Sequence, residues 1–150
     1  MSGWSKNEDL KRMMIIEKYE NPRHKISEQE VKKIAANYQQ IKAASTSCMD
    51  NFEFYLKVEK EIIKDVRYFG EGCVISIAAN ETICDYVINK TLKQSLLTLT
   101  QFFSLVTEDN HDKLKNLDES FWVFDKLHLQ PGRINCGSIS CKAIIKFLKE

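Results

Sequence analysis

The stretch from Asn51 to Phe69 constrains this chain more than any other. Phe52, Phe54, Leu56 and Val58 alternate with Glu53, Tyr55 and Lys57, and a period of two puts the first set on one face of a strand. Glu59-Lys60-Glu61 supplies a polar turn and Ile62 to Phe69 reads as a second strand, so an antiparallel hairpin is predicted. Gly70 and Gly72 end it, one residue before Cys73.

Around this hairpin the period is helical. Ser5-Lys6-Asn7-Glu8 has the form of a capping box and predicts a first helix over residues 5–20, ending before Pro22. Ser27-Glu28-Gln29-Glu30 repeats the signal and predicts a short helical turn over 28–36; residues 38–44 read as a short strand. After Cys73 a helix is expected to about Asn89, then a second from 92 to 106 with Leu92, Leu96, Leu99 and Phe103 as its apolar stripe. Residues 107–116 are charged and expected to be exposed. Asp118 is expected to cap a helix carrying Phe121, Trp122, Phe124 and Leu127, which Leu129-Gln130-Pro131-Gly132 ends. A last helix is predicted over 138–148, with Cys136 just ahead of its first turn. Strands followed by helices make an α+β domain, a small antiparallel sheet of about three strands with helices on one face.

At 150 residues the chain suits one domain, 1–150, and is long enough to bury a core without staples. Lys+Arg 22 against Asp+Glu 21 leaves a net charge of +1, which gives nucleic acid or a membrane surface no global electrostatic footprint. No apolar run approaches a bilayer span and Met1 to Arg12 lacks a signal-peptide core, so a cytoplasmic protein with neither nucleic-acid nor membrane partner is expected. In that setting five cysteines without a repeating spacing argue for metal binding or thiol chemistry over a disulfide framework.

Three of them sit where a predicted loop meets a regular element: Cys48 in Ser47-Cys48-Met49-Asp50, Cys73 after Gly70-Glu71-Gly72, and Cys136 after Gly132-Arg133-Ile134-Asn135. A fold that gathers these junctions brings three thiolates and the Asp50 carboxylate to one point. Such a set fills a tetrahedral zinc shell and equally suits an iron–sulfur cluster. The spacings, 25 and then 63 residues, are diagnostic of neither. Cys73 and Cys136, each read as preceding a helix, would have their thiolates favoured by the helix dipole.

Taken together, Tyr19-Glu20-Asn21-Pro22-Arg23, Ser47-Cys48-Met49-Asp50, Gly70-Glu71-Gly72-Cys73-Val74-Ile75-Ser76-Ile77-Ala78 and Arg133-Ile134-Asn135-Cys136 resemble, in order, the iron–sulfur assembly scaffolds of the IscU and NifU N-terminal type, and more closely their SufU branch. The resemblance implies a SufE/IscU-like α+β fold and a metal site formed by Cys48, Asp50, Cys73 and Cys136. In SufU-like proteins that site holds Zn²⁺, and the cysteine matching Cys48 receives persulfide sulfur from a cysteine desulfurase of SufS type, for delivery to downstream assembly proteins. IscU-like relatives build a transient [2Fe–2S] cluster there. Catalytic roles are thereby implied for Cys48 and Asp50. Asn135 stands where IscU-like chains have histidine, and the segment from Thr107 to Pro131 looks like the insertion that marks the SufU branch. A scaffold of IscU type is the second expectation, and Met49, which departs from the family glycine, makes a non-catalytic, zinc-stabilised adaptor the third.

Other candidates read as structural. Cys84 lies 11 residues along the same predicted helix as Cys73, about 16 Å away, and cannot share its ion. Cys141 is expected to pack inside the last helix. His24, His111 and His128 carry no ligand spacing. Phe102, Phe103, Phe121 and Trp122 read as core, and Lys142, Lys146 and Lys149 as the solvated side of the last helix. Arg133 is expected either at the site or in an ion pair.

Overall fold

The computed structural model describes residues 6–44 and 50–150. Its centre is a three-stranded antiparallel sheet in the order β1-β2-β3, with β1 over Gln39–Ala44, β2 over Asn51–Glu59 and β3 over Ile62–Glu71. The register sets Phe54 between Ile41 and Tyr68, and Leu56 opposite Val66. Directly opposed residues share a face, so these five side chains form one apolar surface. Tyr55, expected among the polar positions, is buried on the opposite face, where its hydroxyl donates to Glu53 Oε2 at 2.7 Å.

The hairpin turn is Lys60-Glu61 alone, with φ of 52° and 64°. Both residues are left-handed, the geometry of a two-residue type I′ turn that normally takes Asn-Gly. Tertiary hydrogen bonds fix it there. Leu92 N–H donates to Glu61 O at 2.9 Å, and Ile63 exchanges hydrogen bonds with the chain at Asn89 and Lys90.

Helices α3 (Val74–Val87) and α5 (Pro131–Leu148) pack on the sheet, while α1 (Glu8–Glu20) lies against α3 and α4 (Leu92–Thr107) against α5. The core therefore forms between the sheet and one layer of helices. The short helix α2 (Glu28–Ile34) has the expected capping box, Ser27 and Glu30 each accepting from the other's backbone N–H. Thr91 caps α4 through the N–H of Gln94.

Several expectations are corrected. Helix α1 starts at Glu8 on an Asn7 cap that accepts from Leu10 N–H; Ser5 lies outside the described residues. The buried face of α4 is Leu99, Phe102, Leu105 and Val106, because α5 and the following turns cover it further round than Leu96 and Phe103. The segment 107–116 is exposed except for the half-buried Thr107 and His111 and for Leu114, which a 3₁₀ turn over Asp112–Leu114 drives into the core. Phe121, Trp122, Phe124 and Leu127 are buried as expected, but on 3₁₀ turns over Glu119–Phe124 and Leu127–Leu129, not on an α-helix. Asp118 does cap the first of these, through Ser120 N–H. Pro131-Gly132 starts a helix instead of ending one. Proline is suited to the first helical position, where no intrahelical N–H is needed, so α5 begins at Pro131 and Cys136 lies within it.

One buried ion pair ties the first helix to these turns: Lys11 Nζ, almost fully enclosed, reaches Asp125 Oδ1 at 2.9 Å and Glu8 Oε1 at 3.0 Å. Among the described residues no helix is long and apolar enough to cross a membrane.

Candidate metal centre

The site is built where β3 passes over the start of β2. Gly70 sits opposite Phe52 with φ 137°, and a Cβ there would stand 2.1 Å from the Asn51 carbonyl oxygen. Only glycine permits that crossing. Two residues on, a Cβ on Gly72 would lie 2.4 Å from both Phe52 Cζ and Ser76 Oγ, and 2.9 Å from Asp50 Oδ1. The two glycines let the strand end close over Asp50.

This crossing sets Cys73 at the N-cap of α3. Its N–H donates to Asp50 Oδ1 at 3.1 Å, its Sγ accepts from Ser76 N–H at 3.4 Å, and Ser76 Oγ donates back to Cys73 O at 3.0 Å. Cys73 Sγ thus occupies one of the orphan N–H groups at the start of α3.

Cys136 arrives from the other side on α5. Gly137 lets that helix close on the preceding turns, since a Cβ there would meet Leu127 Cδ1 at 2.5 Å. Cys136 is five residues past Pro131, beyond the first turn. The expected help from a helix N-terminus is thus absent. Burial, then hydrogen bonding and proximity to Cys73 and the charge of Asp50, push its thiol up to about 12. A cation would reverse that balance, because a coordinating thiol is deprotonated outright.

One ligand atom each from Asp50, Cys73 and Cys136 lies within 4.8 Å of the others. Asp50 is 3% exposed, and its Oδ2 is buried without a hydrogen-bond partner among the described residues. A carboxylate oxygen left unmatched among thiols is costly by itself and is what a metal ligand looks like before its ion. The donor set therefore fits a borderline-soft cation. The fourth expected ligand, Cys48, and its neighbour Met49 lie outside the described residues.

The remaining cysteines stay apart. Cys84 is fully buried, and its thiol is pushed up by burial and then by Glu81 and Asp85. Cys141 is equally buried and donates through Sγ to Leu99 O at 3.1 Å. None of the histidines belongs to the Asp50 grouping: His24 Nε2 meets Asp85 Oδ1 at 2.7 Å, while the rings of His111 and His128 pack edge-on at 4.6 Å. In the sequence Gly72 reads only as a strand end and Ser76 carries no role, yet both shape the cradle. The signal was a glycine one residue before a cysteine N-cap and a serine three after it.

Buried polar groups also hold the Pro22 turn. Glu81 accepts from the Arg23 and His24 N–H groups at 2.7 and 3.2 Å and from Tyr68 OH at 2.7 Å. Asp85, one turn on, bonds Lys18 and Arg23 at 3.0 and 2.7 Å. The matched stretch around Asn21-Pro22-Arg23 is thus a brace for α3, remote from Asp50 along that helix.

Comparison with known proteins bears directly on this arrangement. The model of the NifU-like N terminal domain matches residues 10–119. The zinc-dependent sulfurtransferase SufU of Bacillus subtilis is 28% identical over 142 residues, covering 91% of this chain and 88% of that one. The iron-sulfur cluster assembly scaffold protein IscU of Thermotoga maritima is 28% identical over 106 residues, covering 69% and 72%. Among solved structures, the putative iron-sulfur cluster assembly scaffold protein for the SUF system from Fervidobacterium islandicum superposes with a TM-score of 0.73 at 20% identity, over 87% of this chain and 90% of that one. That likeness bears out the expected three-stranded α+β fold.

Proposed function

This chain belongs to the NifU-like N-terminal domain family, and from that premise we propose that it is an iron–sulfur cluster assembly protein that works as a zinc-bound sulfur acceptor. Cys48 takes persulfide sulfur from a cysteine desulfurase of SufS type and passes it to downstream assembly proteins. The observation that carries this reading is the convergence of Asp50, Cys73 and Cys136, with one Asp50 oxygen buried and unmatched. Cys48, Asp50, Cys73 and Cys136 would hold the Zn²⁺. When bound, Zn²⁺ supplies the positive charge that keeps the thiolates deprotonated near neutral pH.

The chain's own residues account for the transfer. The Cys48 thiolate attacks the terminal sulfur of the desulfurase persulfide; a new S–S bond forms at Cys48, the old one breaks, and its electron pair leaves with the desulfurase thiolate. No external oxidant is consumed. Attack is best for a thiol whose pKa lies near ambient pH. Asp50, two residues after Cys48 in the chain, is held in orientation by the Cys73 N–H.

The relatives named as scaffolds support a second reading, in which the same ligands receive a [2Fe–2S] cluster as cargo. The extent of the SufU match, nine-tenths of this chain, favours the sulfur acceptor. Anaerobic purification without added metal, followed by metal analysis, visible absorption and mass spectrometry after incubation with desulfurase and cysteine, distinguishes the two. About one zinc, no visible band and a persulfide on Cys48 are expected. Iron with sulfide and a coloured spectrum makes the scaffold primary. Zinc with a docked desulfurase but an unmodified Cys48 makes the protein an adaptor.

A further inference from the structure

A groove of about 870 Å³ runs between β1 and α5, bounded by the strand from Gln40 to Ala44 and by the α5 stripe that includes Ile139, Ala143 and Phe147. Among the described residues β1 is an edge strand, paired only to β2. The groove therefore presents an open row of backbone N–H and C=O groups beside an apolar helix face. Four lysines line it, Lys42, Lys142, Lys146 and Lys149, against the single acidic side chain of Glu150. None of the four makes an ion pair with a described residue. The chain as a whole carries only +1, so this groove gathers more positive charge than the whole molecule nets. Lys146 and Lys149 suit a helix C-terminus, but that explains neither Lys142, further back on α5, nor Lys42 on the strand.

We propose that the β1–α5 groove docks an extended acidic segment of a partner protein, which adds to the free edge of β1 while its carboxylates meet the lysines. Strand addition gives affinity through main-chain hydrogen bonds and selectivity through alternate side chains. A nucleic-acid strand offers no alternating donors and acceptors to an edge strand, so the exposed backbone favours a peptide over a polyphosphate backbone. The position matters. Asn135, beside Cys136, lines one end of the groove, and β1 ends four residues before Cys48. A segment seated here brings its parent protein to the metal centre, and the groove needs neither a bound ion nor sulfur transfer to act.

The test uses the full chain and a fluorescein-labelled ten-residue peptide alternating Glu and Val, with a Lys/Val peptide and a single-stranded oligonucleotide as comparison probes, read by fluorescence anisotropy and backbone amide shifts. The Glu/Val peptide binds selectively, loses affinity as salt rises, and shifts the amides of residues 40–44 and 135–149. Lys142→Glu with Lys146→Glu weakens it about tenfold or more with Tm unchanged. Lys115→Glu with Lys126→Glu, an equal charge change away from the groove, weakens it less than about twofold. Equal binding of the Lys/Val peptide, tighter binding of the oligonucleotide, shifts confined to other surfaces, or self-association that fills the groove with a second copy would each overturn the proposal.

Discussion

Asp50 joins one satisfied oxygen to one unsatisfied oxygen in a single buried carboxylate, Oδ1 held by Cys73 N–H and Oδ2 without a partner among the described residues. This asymmetry makes opposite predictions for the two states of the site. Asp50→Asn keeps the acceptor for Cys73 N–H and replaces the unmatched oxygen with a neutral amide. In metal-free protein it is expected to raise stability by about 1 kcal/mol, because a neutral amide costs less to bury unmatched than a carboxylate oxygen does. In protein purified without chelator it is expected to cut metal content several-fold. Urea unfolding and metal analysis of the same preparations check both; stability lost in both states would mean Asp50 is merely structural.

The β2–β3 hairpin carries strain at one end and crowding at the other. Its turn holds Lys60 and Glu61 at positive φ. Replacing them with Asn-Gly is expected to stabilise the protein by about 1 kcal/mol, since these residues adopt the type I′ turn with less penalty; a thermal melt reads this directly. At the far end Gly72 faces Phe52, Ser76 and Asp50 at distances no Cβ tolerates. Gly72→Ala is expected to cost about 1–3 kcal/mol by overpacking and to weaken metal retention, because Asp50 is among the displaced groups. Full retention with a normal melting temperature would show that the cradle yields freely.

At the scale of the whole molecule, Asp85 fastens α3 to α1 and to the turn after it through Lys18, Arg23 and His24. Burial raises the Asp85 pKa, but hydrogen bonds from His24 and Lys18 and the charges of Lys18 and Arg23 outweigh it, leaving the carboxyl well below its usual range. A depressed folded pKa contributes stability that is present above the unfolded value near 3.9 and is lost as pH falls through the folded one. Asp85→Asn is therefore expected to cost about 1–3 kcal/mol at neutral pH and to flatten the decline of stability below about pH 4. Urea titrations from pH 6 to 2 check this. An unchanged acid limb would shift the role to other carboxylates.

Sequence alone determined the hairpin and the helix cap at Ser27, because period, capping chemistry and breakers act within a few residues and survive without neighbours. It also marked Asp50, Cys73 and Cys136 as candidates through residue type and resemblance. Their convergence belonged to the tertiary structure. Pro131 is compatible both with ending an element and with starting one, and only the packing of α5 made it a start, carrying Cys136 into the helix and away from its N-terminus. Likewise, nothing local sends Lys60-Glu61 to positive φ; hydrogen bonds from the α3–α4 connection do. The rows of Phe121, Trp122 and Phe124 announced burial but not their 3₁₀ form, since apolar spacing reports which residues are enclosed and leaves the tightness of the turn to its surroundings.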